Sequence, residues 1–216
     1  MSPPVLDPQI QAVLEEQAAA GAQPPGSLTP EELRAQYVKQ CKEQWGELDV
    51  DRIGVGGDSA GGNLAAVVAR RGRDHAIPIA LQLLLYPVIN HAFDTPSYSF
   101  FSQGYGLTRD GMQWFWEQYL GEGGDGSNPD ASPSQAGDLR RLPRAIVVTA
   151  EADVLRDEAE SYAQRLFLST VETEGYRYDG MVHGFLRMAG KVERSNAAFD
   201  ELAPSIRAML AKTWRD

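Results

Sequence analysis

Residues 54–70 read GVGGDSAGGNLAAVVAR, and within them Gly57-Asp58-Ser59-Ala60-Gly61 fits the pattern G-x-S-x-G. Its flanks give the match its meaning. RIGVGG, from Arg52, is short and β-branched as a strand is, and the small and apolar residues from Asn63 to Arg70 suit a helix. A serine between two such elements occupies a strained turn with its hydroxyl lifted above the sheet. Small residues are needed two places either side of it because the strand and helix backbones crowd there. A plain glycine-rich turn is the blander reading. A phosphate-binding loop is poorer still, since no Lys-Ser/Thr pair follows the glycines.

Downstream, strands alternate with helices. Ile79–Tyr86 is a continuous apolar run, as expected of a strand buried on both faces. Residues 90–111 read as loop, and GMQWFWEQYL (residues 111–120) as a short aromatic helix. Gly121–Gly137, rich in Gly, Asp, Ser and Pro, reads as a long surface loop. AIVVTA from Ala145 is a second buried-type strand, followed by a helix over about 157–168. A last strand falls in VETEGYRY before the loop DGMVHGF, and a terminal helix runs over roughly 193–212. This order predicts an α/β fold with a mostly parallel sheet and helices on both faces. Upstream, residues 8–20 place Ile10, Val13, Leu14 and Ala18 on one helical face. LTPEEL starts a second helix, with Thr29 as N-cap, that runs to about Trp45. The expected division is therefore cap-like helices over 1–45 and a core over 46–216, with 90–137 inserted as a lid or loop region.

A serine hydroxyl needs a base to take its proton, and the base needs an acid to fix its tautomer. Of the three histidines, His75 lies in a polar connection and His91 opens a loop, both surface positions. His183, in the Gly-flanked loop GMVHGF after the last strand, is placed to reach the top of the sheet. For the acid, Asp153 follows AIVVTAEA at the carboxyl end of a buried strand, on the same side as Ser59. Glu151, Asp157 and Glu158 compete: Glu151 is the second choice, and the other two suit the first turn of the next helix. Asp58 is too close to Ser59 to orient His183 and is expected to bond nearby backbone. Phe101, Trp114 and Phe115 are candidates to line an acyl pocket, against the plainer role of packing a helix onto the sheet.

The chain has 216 residues, enough for one core, and a formal net charge of −10 that disfavours nucleic acid and anionic lipid. Its one cysteine, Cys41, forms no internal disulfide and reads as an ordinary thiol. MSPPVLDPQIQ lacks the basic and apolar regions of a signal peptide, and the longest apolar run, IALQLLLYPVI, is too short to span a bilayer. These features point to a cytoplasmic protein without stable membrane insertion.

GDSAGGNLA, EADVLRDEAESYAQRL and GMVHGF together resemble the hormone-sensitive-lipase family of α/β-hydrolase esterases. LDPQIQAVLEEQAAAG resembles that family's N-terminal cap helix, and TPSYSFFSQGYGLTRDGMQWFWEQYL the loop and helix after its sixth strand. The resemblance implies Ser59 as nucleophile, Asp153 as acid and His183 as base. It also implies hydrolysis of short to medium acyl esters, with neither metal nor organic cofactor. The backbone N–H of Ala60 would supply one oxyanion donor.

The sequence departs from the family in one large respect. It has no His-Gly-Gly turn, the usual source of the remaining oxyanion donors, and no histidine precedes Ser59. Cap-like TPEELRAQY runs straight into VKQCKEQWGELDVDRIGV near Tyr37–Val38, where the family carries on the order of a hundred further residues. Each lost donor costs roughly 2.7–4 kcal/mol of transition-state stabilisation. Without its upstream neighbours the elbow strand becomes an open edge, inviting pairing with a second copy. LFLSTVETEGYRYDGMVHGF also departs from the family's helix end, Gly turn and strand. The expected function is a serine carboxylic-ester hydrolase, its activity weakened by the absent turn; the alternative is an inactive binding or scaffold remnant of the same fold. A peptidase is a weaker third reading.

Overall fold

The structure is a computed structural model that describes residue 49 and residues 52–212. The expected cap helices over 1–45, with Cys41, lie outside these residues. Four strands, β1 (Gly54–Asp58), β2 (Leu81–Leu85), β3 (Arg144–Ala152) and β4 (Thr173–Val182), form one parallel sheet in the order β1-β2-β3-β4. Among the described residues five α-helices accompany them: α1 (Ala60–Asp74), α2 (Pro96–Phe100), α3 (Arg109–Leu120), α4 (Arg156–Leu168) and α5 (Glu193–Ala211). Among the described residues, β1 is paired by β2 alone.

A parallel sheet must be covered on both faces, and β3 shows how the sequence meets that demand. Its residues alternate. Ala145 and Val147 pack with Ala65 and Ala66 of α1 and with Ala159, Tyr162 and Leu166 of α4. Ile146, Val148 and Ala150 turn the other way, onto Ala198, Leu202 and Met209 of α5. Each buried Val, Ile or Leu contributes about 1.5–3 kcal/mol. The continuous apolar run in the sequence is thus two interleaved core faces. A third cluster, with Val88, Tyr98, Met112, Trp116, Val154 and Leu155, packs α2 and α3 around the segments that follow β2 and β3.

Two segments differ from the sequence reading. The stretch read as loop over 90–111 contains α2, which begins where Pro96 takes the first helical position after Thr95, its φ already set for a helix. β4 does not stop at Tyr178 but continues to Val182. Tyr178 pairs with Ala150 and Val182 with Ala152, so the strand bulges between them. The alternation of apolar and polar residues fades across the bulge, which hides this extension from a period-based reading. Because all four strands run the same way, the residues just beyond β1, β3 and β4 share one edge of the sheet. Ser59, Asp153 and His183 stand there.

Candidate active site

Ser59 follows β1 directly, at φ 56° and ψ −120°, a strained backbone for a non-glycine residue. Two bonds, to the end of β2 and to the segment after it, hold it there: the Ser59 N–H donates to the Leu85 carbonyl (2.9 Å), and the Val88 N–H donates to the Ser59 carbonyl (3.2 Å). Crowding enforces glycine at two places. A Cβ on Gly57 would lie 2.4 Å from the Gly61 carbonyl carbon, and one on Gly62 would lie 2.8 Å from Pro87 Cβ. Gly61 has open space where its own Cβ would be. The second tight position is therefore Gly62, one residue beyond the motif, because the helix turns its next residue toward Pro87.

His183 lies just past β4, with Nε2 2.9 Å from Ser59 Oγ and Nδ1 2.7 Å from Asp153 Oδ2. A carboxylate at Nδ1 fixes the proton there and leaves Nε2 as the acceptor for the serine O–H. The imidazole is well enclosed, its side chain 13% exposed, and Asp153 is 1% exposed. Tyr86, at the end of β2, sets its ring edge-on to the His183 ring, with centroids 5.1 Å apart. Burial pushes the Tyr86 hydroxyl up to about 12, with the charge of Asp58 adding to the effect, so the ring stays neutral beside the imidazole. Asp153 spends its other oxygen, Oδ1, on the Leu155 N–H (2.9 Å), which fixes its rotamer. Gly184, at φ 74°, turns the chain immediately after the histidine.

The competing acids all stand apart from the imidazole. Glu151 accepts the Gly180 N–H (2.7 Å) and so props the end of β4 before His183. Asp157 accepts the Ser97 N–H (2.7 Å). Glu158 is buried and accepts the N–H groups of Ile89 (2.7 Å) and Asn90 (3.2 Å) on one oxygen. Asp58 does not bond nearby backbone as expected. Its Oδ2 receives Arg187 Nε at 2.7 Å, four residues beyond His183, because the elbow and the histidine turn meet at the same sheet edge. His75 is the exposed C-cap of α1, and His91 is exposed with its ring against Phe93 and Trp116.

Ala60 is the first residue of α1, so its N–H has no acceptor within the helix and lies beside Ser59. Next to them opens a cavity of about 290 Å³, walled by Asn63 and Leu64 of α1, by Val88 and Leu107, and by Met112, Phe115, Trp116 and Tyr119 of α3. Of the three aromatics named from sequence, Phe115 lines this cavity. Trp114 is exposed and edge-on to Phe115, and Phe101 packs against Tyr105 under the Arg156 guanidinium. The residues missed had a legible signal: Met112, Trp116 and Tyr119 recur with Phe115 at helical spacing on one face of α3. Among the described residues no cluster of His, Cys, Asp or Glu is arranged to hold a metal ion, and no helix is long and apolar enough to cross a membrane.

This geometry has close counterparts. The sequence profile of the alpha/beta hydrolase fold matches residues 31–187. The carboxylic ester hydrolase LipN of Mycobacterium tuberculosis is 36% identical over 198 residues, which are 87% of this chain and 52% of that protein. An arylesterase of Saccharolobus solfataricus is 39% identical over 149 residues, 68% of this chain and 49% of its own. Among solved structures, a thermostable esterase from Pseudomonas putida superposes with a TM-score of 0.73 at 37% identity, covering 86% of this chain and 61% of that one. An ester hydrolase from the Lake Arreo metagenome gives 0.74 at 37% identity, covering 82% and 56%. The chain thus spans about half the length of the curated relatives it matches. On its parallel sheet, its elbow and these likenesses together, the chain belongs to the hormone-sensitive-lipase-like family of α/β-hydrolases.

Proposed function

We propose that this chain is a serine carboxylic-ester hydrolase acting on short to medium acyl esters. The observation that carries the reading is the pair of contacts at His183, 2.9 Å to Ser59 Oγ and 2.7 Å to Asp153 Oδ2. In this mechanism Ser59 Oγ attacks the ester carbonyl as its proton passes to His183 Nε2, and Asp153 stabilises the imidazolium. His183 then returns the proton to the departing alkoxide, leaving an acyl group on Ser59. Water, deprotonated by the same imidazole, attacks that acyl group and restores the serine. The Ala60 N–H, strengthened by the positive end of α1, meets the developing oxyanion. A cavity of about 290 Å³ is at the small end of ligand pockets and suits a compact acyl group over a long chain.

The proposal includes a second copy as the partner of β1, whose Gly54 and Gly56 are exposed; sedimentation equilibrium of the purified chain tests it by molecular mass. The activity is tested with p-nitrophenyl butyrate and the variants Ser59→Ala and His183→Ala. Hydrolysis abolished by both substitutions is the expected result. Wild-type turnover at the level of Ser59→Ala, in protein that keeps its native circular dichroism, overturns the reading.

A further inference from the structure

Glu158 is the buried acid that the proposed chemistry leaves unused. It sits in the first turn of α4, where a glutamate ordinarily bends back to cap its own helix. Here the side chain reaches instead across to the segment after β2, and Oε1 accepts two successive N–H groups, Ile89 at 2.7 Å and Asn90 at 3.2 Å. Both ends of this bridge lead to the triad. On one side, Val88 precedes Ile89, donates its N–H to the Ser59 carbonyl, and accepts Asn63 Nδ2 (2.9 Å) from α1. On the other, α4 begins at the turn that carries Asp153, where Arg156 N–H bonds the Asp153 carbonyl (3.2 Å) and Leu155 N–H bonds its side chain. Ser97 of α2 fastens the same turn, giving its hydroxyl to the Val154 carbonyl at 2.7 Å.

We propose that Glu158 is a positioning residue for the triad: by tying the backbone beside Ser59 to the turn bearing Asp153, it sets the separation that His183 must bridge. The inference rests on the hydrolase reading for its kinetic consequences. A carboxyl oxygen bonding two adjacent amides is rigid, and a shift of about 1 Å in a catalytic group is enough to cost about 100-fold in rate.

The bridge has a pH limit. The groups acting on the Glu158 carboxyl are the Ile89 and Asn90 amides from the segment after β2, Asp153 from the turn after β3, and the Tyr98 hydroxyl from α2. Burial pushes Glu158 up to about 8, against the pull of the two amides, and the charge of Asp153 raises it further. Above that pH a second negative charge appears beside Asp153 in a closed interior. The two amides hold the carboxylate at least as well as the acid, so what disturbs the site is the repulsion between this charge and Asp153, which acts on the turn that the bridge fixes.

The test compares wild type, Glu158→Ala and Glu158→Gln with p-nitrophenyl butyrate across the pH range. In parallel, the low-field proton resonance of the His183–Asp153 hydrogen bond is followed by NMR. The Gln carbonyl accepts both amides and carries no charge. Glu158→Ala is expected to lose about 100-fold in kcat with little change in KM, and to lose or broaden the resonance. Glu158→Gln is expected to keep the resonance and kcat at neutral pH, while the alkaline fall in kcat, centred near pH 8 in wild type, disappears. Full kcat and an intact resonance in Glu158→Ala overturn the proposal, and so does an alkaline fall that persists in Glu158→Gln. If Glu158→Ala does not fold, the Gln profile decides alone. A wild type that shows the resonance but no Ser59-dependent turnover removes the hydrolase reading, and the resonance of the two variants then decides the role of Glu158.

Discussion

Replacing Glu158 by Gln should change how folding stability depends on pH, by an amount that follows from its burial. The carboxyl rises from the ordinary 4.5 to about 8 in the folded chain, because burial disfavours its charged form. Its folded value lies above its unfolded value, so the folded state binds the extra proton in between. The stabilisation is therefore fully present below 4.5 and is lost progressively as pH rises, until the folded form also titrates near 8. At about 1.36 kcal/mol per unit, the shift corresponds to a total of about 5 kcal/mol, of which about 4 kcal/mol falls between pH 5 and pH 9. Gln contributes none of this slope. Urea unfolding of both proteins, followed by circular dichroism at several pH values, reads the difference directly, and titrations common to both cancel. Wild type should lose about 4 kcal/mol relative to Glu158→Gln from pH 5 to pH 9. A difference that stays constant across that range means Glu158 is ionised throughout the fold, and the argument from burial fails.

Asp153→Asn keeps the shape but lets the amide favour the wrong imidazole tautomer, so kcat should fall by about 10⁴ with the fold intact, measured by ester hydrolysis and thermal melting. Gly57→Ala forces a Cβ to within 2.4 Å of Gly61 backbone and should destabilise by more than about 2 kcal/mol, whereas Gly61→Ala meets open space and should keep the wild-type melting temperature within a few degrees. Leu64→Trp fills part of the cavity beside Ser59. It should lower kcat/KM for butyrate relative to acetate esters by roughly 10-fold or more, and unchanged selectivity would show that the acyl group lies elsewhere.

The parts of the site that were legible in the sequence were those whose chemistry is local. The G-x-S-x-G turn, the apolar run of β3 and the glycines around His183 each state their own conformation. Packing across elements was harder to read. Gly62 is tight because of Pro87, which approaches from the segment after β2, and no residue near Gly62 in sequence announces it. Asp58 meets Arg187 at a separation of 129 residues, a pairing that only the shared sheet edge creates. Trp114 and Phe115 are adjacent aromatics of equal promise in sequence, yet neighbours on a helix point about 100° apart, so only one reaches the cavity. Glu158 looked like an ordinary first-turn acid until its partners on the segment after β2 were visible.

The order β1-β2-β3-β4 has a kinetic consequence. Among the described residues no strand meets its neighbour through a hairpin; each of these pairings closes a long loop, and the bond between His183 and Ser59 spans 124 residues. Such non-local closures are the slow events of folding. A refolding chain can bury β2 and β3 and regain much of its helical signal while His183 still has no seat. Labelling of Ser59 by a mechanism-based phosphonate would thus mark the docking of β4, and reactivity should return later than secondary structure.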